Sequence, residues 1–408
     1  MKRFAAVALA LSLVATTLDA RVLMKITKNY LEKAEVDVLL LQEKNPYGEA
    51  FLTAFGRDLG YSGNFSLVSS RFAAAQERES IKPTLAGELL VIGEPSGNDI
   101  TFTVEDMIDH EILFKKTYTP PANARSFAHK VNDDIVLALT GKPGIAATRI
   151  AYIAKKNDSG QLYVADYDGM DETRLTAVSH LISYPRWMPG NRALLLVSYQ
   201  SGWPKLVRFD PATKTTRVVS DEPGINACAS VCATTGEIAL VLSKSGDPEI
   251  YLLSADGKSS RRLTYSRGIE SSPSFSPDDK TIAFVSDRAG SPQIYLMNRD
   301  GYQIRRISYN ASYATSPAWS PDGSLIAYVV RAGGSFGIAV YELATRKITL
   351  VGDRLGAEDI AWAPDNRHLV YTCIDTIPNH VAVMDIYTRE VRRLLPAGHE
   401  TFSPSWTN

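Results

Sequence analysis

Over the last two-thirds of the chain, apolar residues fall into short runs rather than helical stripes. Ile282-Ala283-Phe284-Val285, Ile326-Ala327-Tyr328-Val329 and Leu369-Val370-Tyr371 are each followed by a loop, such as Ser286-Asp287-Arg288-Ala289-Gly290. A second apolar run comes next: Ile250-Tyr251-Leu252, Ile294-Tyr295-Leu296, Ala339-Val340-Tyr341. Asp-Gly turns follow at Asp168-Gly169, Asp256-Gly257 and Asp300-Gly301, then a short polar run such as Arg261-Arg262-Leu263-Thr264. Short β-branched or aromatic runs bounded by such turns predict strands.

The runs repeat. Ser272-Pro273-Ser274-Phe275-Ser276-Pro277-Asp278-Asp279 returns as Ser316-Pro317-Ala318-Trp319-Ser320-Pro321-Asp322-Gly323. Weaker copies lie at Tyr184–Asn191 and Ile360–Asn366, and a degenerate one at Ala229–Thr235. The aromatic position falls at 187, 231 (a valine), 275, 319, 362 and 406, in steps of 44, 44, 44, 43 and 44. Four strands per repeat of that length predict propeller blades. The first unit, with Ile150-Ala151-Tyr152 and Leu162-Tyr163-Val164, lacks an innermost strand, whereas Ser403-Pro404-Ser405-Trp406 is an innermost strand with no blade after it. Joining the two gives six blades and a closed ring.

Residues 21–140 follow a different grammar. Val36–Leu41, Phe65–Val68, Leu89–Ile92, Ile100–Val104 and Ile112–Tyr118 read as strands. Phe51, Phe55 and Leu59 recur at helical spacing, as do Phe127, Val131, Ile135 and Leu139, with Gly141 placed as a C-cap. The expected architecture is therefore an α+β multidomain chain: a small N-terminal α/β domain (21–140) followed by a six-bladed β-propeller (141–408) closed by the C-terminal strand.

Composition narrows the function. Of 408 residues, 45% are hydrophobic and 22% charged, an ordinary globular balance. Lys+Arg at 44 against Asp+Glu at 45 gives no basic excess for nucleic-acid binding. No apolar run reaches the roughly 18 residues that span a bilayer. Lys2 and Arg3 precede the apolar stretch Phe4–Ala15, which fits a secretory signal peptide over 1–20, cleaved after Ala20.

Several chemical motifs are weighed against plainer readings. Gly333-Gly334-Ser335-Phe336-Gly337 fits G-x-S-x-G but lies between two strands of blade five, not between a strand and a helix. Asp166-Tyr167-Asp168-Gly169 starts like a calcium loop, yet Met170 takes the next ligand position and Ala177 the twelfth. None of the six histidines has metal-site spacing, and His129 is expected to stabilise its helix or the domain junction. Cys228 and Cys232 lie roughly 13 Å apart along one strand, beyond disulfide reach. The arginine pairs at 261–262, 305–306 and 392–393 read as solvated protection of the outer strands. A rival reading is a hydrolase or lactonase with a metal in the funnel, for which Asn226, Glu270, Glu358, Asp359 and Glu400 are available.

The junction Ala128-His129-Lys130, Leu139-Thr140-Gly141 and Thr148-Arg149-Ile150-Ala151-Tyr152, with Ala165-Asp166-Tyr167-Asp168-Gly169 after it, resembles the TolB family, periplasmic components of the Tol–Pal system. The resemblance covers residues 21–408 and departs at Ala233-Thr234-Thr235, where the family's Pro-Asp-Gly is missing, and at Arg21–Tyr30, which matches the family poorly. It implies a periplasmic, monomeric, cofactor-free adaptor that is no enzyme, spans no membrane and binds no nucleic acid. It implies that the propeller mouth binds the lipoprotein Pal, near Ile225 and Ser271. The residues around these, Asn226, Ile269, Glu270, Ala314 and Thr315, lie where blades approach their innermost strands and complete the candidate site. The resemblance also implies that the N-terminal segment reaches TolA. There Arg21, Val22, Met24 and Ile26 are the candidates, the last three alternating as in a strand that adds to a sheet edge.

Overall fold

The computed structural model describes residues 32–156, 159–309, 311–332, 334–394 and 400–407. The expected signal peptide and the candidates Arg21, Val22, Met24 and Ile26 lie outside the described residues.

The N-terminal domain is a five-stranded mixed sheet, β1 (Ala34–Leu40), β2 (Phe65–Phe72), β3 (Leu89–Ser96), β4 (Asp99–Asp106) and β5 (Ile112–Tyr118), in the order β2-β1-β3-β4-β5. β1 runs parallel to both neighbours and the remaining pairs are antiparallel. Two helices cover one face, α1 (Pro46–Tyr61) and α2 (Ala124–Thr140). Asn45 caps α1 by accepting from the Gly48 N–H, and Pro46 opens the first turn, where its missing N–H has no cost. Gly141 ends α2 in the left-handed region at φ 69°. The predicted stripes meet in the core: Phe51, Phe55, Phe102 and Phe127 stack, tilt or meet edge to face with ring centroids 5.3–6.4 Å apart.

The rest of the described chain forms six four-stranded antiparallel sheets. The first blade joins both ends of this region: Glu400–Trp406 pairs with Arg149–Lys156, which pairs with Ser159–Asp166. The innermost strands of blades two to six are Ile182–Trp187, Asn226–Val231, Glu270–Phe275, Ala314–Trp319 and Ala357–Trp362. Trp406 is buried, and its indole N–H donates to Thr148 Oγ1 at 2.7 Å.

Every innermost strand carries the same irregularity. Tyr184, Cys228, Ser272, Ser316, Asp359 and Ser403 all have positive φ, between 48° and 54°. Each sits where the register with the second strand slips. Two inner residues there oppose one on the partner, a β-bulge that bends the strand and sharpens its twist. None of the six is glycine, so each holds a left-handed conformation costing on the order of 1 kcal/mol that the surrounding blade must enforce. Adjacent inner strands are also tied directly: Ser230 Oγ accepts from the Phe275 N–H at 3.1 Å, and Ser405 Oγ from the Trp187 N–H at 3.2 Å.

The outer rim is keyed by the Asp-Gly turns. A Cβ on Gly257 or Gly301 would stand 2.4 Å from the carbonyl oxygen of Val219 or Leu263 on the preceding blade. Arg261 donates to the Asp300 carbonyl of the next blade at 3.1 Å, and Arg217 to the Asp256 carbonyl likewise. These arginines therefore link blades as well as guarding edges.

The closing strand is the most exacting test of this architecture. Trp406→Ala should lower stability by ~3–5 kcal/mol, and deleting residues 403–408 should lower the melting temperature further. A deleted chain that melts within a few degrees of the full chain would show that closure is dispensable.

Candidate functional site

Strand direction alternates within a blade, so the two propeller faces differ. One carries the turns between first and second and between third and fourth strands. The other carries the connections between second and third strands and between successive blades.

The N-terminal domain sits on the turn face. At its centre, Asp58 of α1 accepts from Tyr167 at 2.7 Å and lies 2.7 Å from His129 Nδ1 of α2; all three are buried. Arg57 and Arg125 converge on the Asp168 carboxylate at 2.8 and 2.6 Å. Their bonds hold Asp168 below the usual carboxylate range although burial acts to raise it. Arg392 lies over the rings of Tyr61 and Tyr167 at 4.3 and 5.5 Å and donates to the Tyr167 carbonyl. It therefore departs from the solvated edge role expected for its arginine pair. Burial pulls the His129 imidazole down, but the carboxylates of Asp166 and Asp58 outweigh it and raise the pKa to about 9. Burial pushes Asp58 up as well, so the pair keeps a proton at neutral pH. The expectation that His129 stabilises the junction describes this arrangement.

The loop face is free of the N-terminal domain. Large apolar side chains stand exposed on it: Ile225 at 39%, Ile269 at 52%, Tyr265 at 77% and Tyr309 at 56%, with Trp203 and Ile377 also exposed. Tyr265 and Tyr309 occupy equivalent places in consecutive blades. Arg262 stacks on Tyr265 at 4.6 Å and is held by the fully buried Glu249 at 2.6 Å. Arg306 lies 5.5 Å from the Tyr309 ring centroid, and Tyr309 donates to the Arg306 carbonyl at 2.9 Å. Sequence reasoning missed these tyrosines, although the repeated Arg-x-x-Tyr at a spacing of 44 was there to be found.

Three of the seven mouth candidates need correction. Asn226, Glu270 and Ala314 are fully buried and cannot touch a partner directly. They open the innermost strands with their side chains turned inward. Asn226 Oδ1 accepts from Ser220 Oγ at 2.6 Å, and its amide donates to the Glu222 carbonyl at 2.7 Å, which shapes the loop presenting Ile225. Glu270 accepts from Ser286 Oγ at 2.8 Å and from Arg288 at 3.0 Å, in the same place one blade later. Burial raises its pKa even against these bonds. Ile225 and Ile269 are exposed, and Ser271 and Thr315 are half-buried.

The other chemical readings have their places too. Ser335 opens a strand of a β-hairpin in blade five and donates to Asp375 at 2.5 Å. Among the described residues, no three His, Cys, Asp or Glu side chains are grouped to hold a metal ion. Asn226 and Glu270, offered for a funnel metal, are taken up by the loops they brace. Cys228, Cys232 and Cys373 are free thiols.

The TolB beta propeller domain family matches residues 136–408. The Tol-Pal system protein TolB of Legionella pneumophila strain Corby is 33% identical over 180 residues, 41% of this chain and 43% of that protein. The Tol-Pal system protein TolB of Alcanivorax borkumensis is 29% identical over 253 residues, 58% of each chain. The chain thus spans about half the length of the curated relatives it matches. The solved structure of TolB from Acinetobacter baumannii superposes with a TM-score of 0.80 at 23% identity, covering 92% of this chain and 96% of that one. At that identity the superposition establishes the fold. No helix among the described residues is long and apolar enough to cross a membrane.

The buried imidazole sets a pH dependence. Its folded pKa of about 9 lies above the unfolded value near 6.5. Its contribution, at most on the order of 3 kcal/mol, is complete below pH ~6.5 and lost as pH rises through 9. The melting temperature of the full chain should fall over that window, and that component of the fall should vanish in His129→Gln. An identical pH profile for the variant would show that His129 does not titrate in the seam.

Proposed function

The chain belongs to the TolB β-propeller family, and on that premise we propose that it is a non-enzymatic periplasmic adaptor of the Tol–Pal system. In this reading the loop face of the propeller binds the lipoprotein Pal, which holds the monomeric protein at the outer membrane without spanning it. The N-terminal segment carrying Arg21, Val22, Met24 and Ile26 engages TolA. The two contacts together support outer-membrane integrity and inward folding of the envelope at division.

The observation that carries the reading is the cluster of exposed isoleucine and tyrosine side chains on the face that the N-terminal domain leaves open. Exposed large apolar groups on a rigid scaffold mark interaction surfaces. Tyrosine and arginine together are the residue types that most often anchor interfaces. Ile225, Ile269, Ser271 and Thr315 then make contact with Pal, while Asn226, Glu270 and Ala314 fix the loops from behind. Val22, Met24 and Ile26 fall at every second position of the N-terminal segment, a period that suits strand addition to a partner sheet.

Ile269→Asp and Ser271→Glu should each weaken Pal binding about tenfold, the loss of one interface anchor, with an unchanged melting temperature. Arg261→Glu, on an outer strand, should leave Pal binding unchanged. Titration calorimetry with purified Pal decides the matter, and wild-type affinity in both mouth variants would overturn the placement.

Deleting residues 21–28 should weaken TolA binding and spare Pal in the same assay. Equal loss of both partners would assign the segment to the fold instead.

A further inference from the structure

Blades one and two do not match at their outer edges. The outermost strand of blade one is two residues long, Thr173–Arg174, and its counterpart in blade two has six, Thr215–Ser220. The longer strand therefore stands as a wall with no equal opposite it. Between the two blades runs a groove of about 670 Å³. Its floor is apolar, built from Leu196, Val207 and Phe209, with Val178 half-buried at one side and Val218 exposed on the wall.

The charge around this groove is one-sided. Arg174, Lys205 and Lys214 line it together with His180, and no aspartate or glutamate does. Lys205 is paired with Asp221 at 2.8 Å. Arg174 and Lys214, one from each blade, have no ion-pair partner among the described residues. His180 lies 3.1 Å from Ser198 Oγ, and burial lowers its pKa, so it adds a polar wall rather than a third charge.

We propose that this groove docks an extended segment of a protein partner in which carboxylate and apolar side chains alternate. The wall strand lines the groove with Thr216 and Val218, two residues apart, so an extended chain beside it meets the same period of two. Apolar side chains on one side of such a segment reach the floor, and carboxylates on the other side reach Arg174 and Lys214. The chain's own N-terminal segment does not fit, because Arg21, Lys25 and Lys28 make residues 21–31 basic. The groove runs along blades one and two and meets the loop face at His180, Gln200 and Ser201, but Ile225, Ile269, Ser271 and Thr315 do not line it.

The probe is a fluorescein-labelled decapeptide alternating glutamate and valine, with a lysine–valine counterpart as control, read by anisotropy against the full mature chain. The acidic peptide should bind saturably and the basic one should not. Arg174→Glu combined with Lys214→Glu should weaken binding roughly tenfold, since two exposed pairs are lost. Val218→Asp should weaken it through the floor's edge, whereas Ile269→Asp at the mouth should leave it unchanged, so this test and the Pal test fail separately. Absence of saturable binding, equal binding by the charge-reversed variant, or capture of anionic vesicles in place of the peptide would each overturn the proposal.

Discussion

Everything in the propeller rests on one pairing, that of Glu400–Trp406 with Arg149–Lys156. Each blade is a sheet with two faces, and both must be covered by neighbours. A ring meets that need for all six blades at once and leaves no open inner edge. Trp406 fills the same place as Trp319 and Trp362 in complete blades, and its indole is tied to Thr148 at the start of the propeller. The six left-handed bulges follow from the same geometry. Strands that converge on a common axis must turn, and a bulge turns them at the one position every blade shares.

Closure also gives the molecule two unlike faces. The turn face is densely keyed: the Asp-Gly turns leave no room for a Cβ, and the buried Asp58, His129 and Tyr167 fasten the N-terminal domain to the first blade. On the loop face, the polar bonds of Asn226, Glu249 and Glu270 run inward to the loops themselves. Large apolar side chains are thereby held outward on short, braced connections. That division leaves one face taken up by internal contacts and the other with large apolar side chains exposed.

The repeat was legible because strand period and blade length both survive in the residues. The spacing of 44 located the innermost strands, the closing strand and the degenerate third blade, where Val231 keeps the place of an aromatic residue. Burial at the approaches was not legible. Glu270 reads as an exposed acid until the register turns its side chain toward Ser286 and Arg288, and neither is near it in sequence. The junction was partly legible: His129, inside the second predicted helix, was expected to stabilise that helix or the domain junction. Asp58 and Arg392 did not, because their roles depend on which propeller face receives the domain. The left-handed bulges carry no glycine and gave no local signal.

The order in which the chain is made adds a consequence of the shared first blade. Its second and third strands end at Asp166, yet the strand that completes it begins at Glu400. The 233 residues between them must follow before the blade can close. Until they follow, the first blade holds an unpaired inner edge for a longer stretch of chain than any of its neighbours, and a factor that shields unpaired strands has its clearest target there.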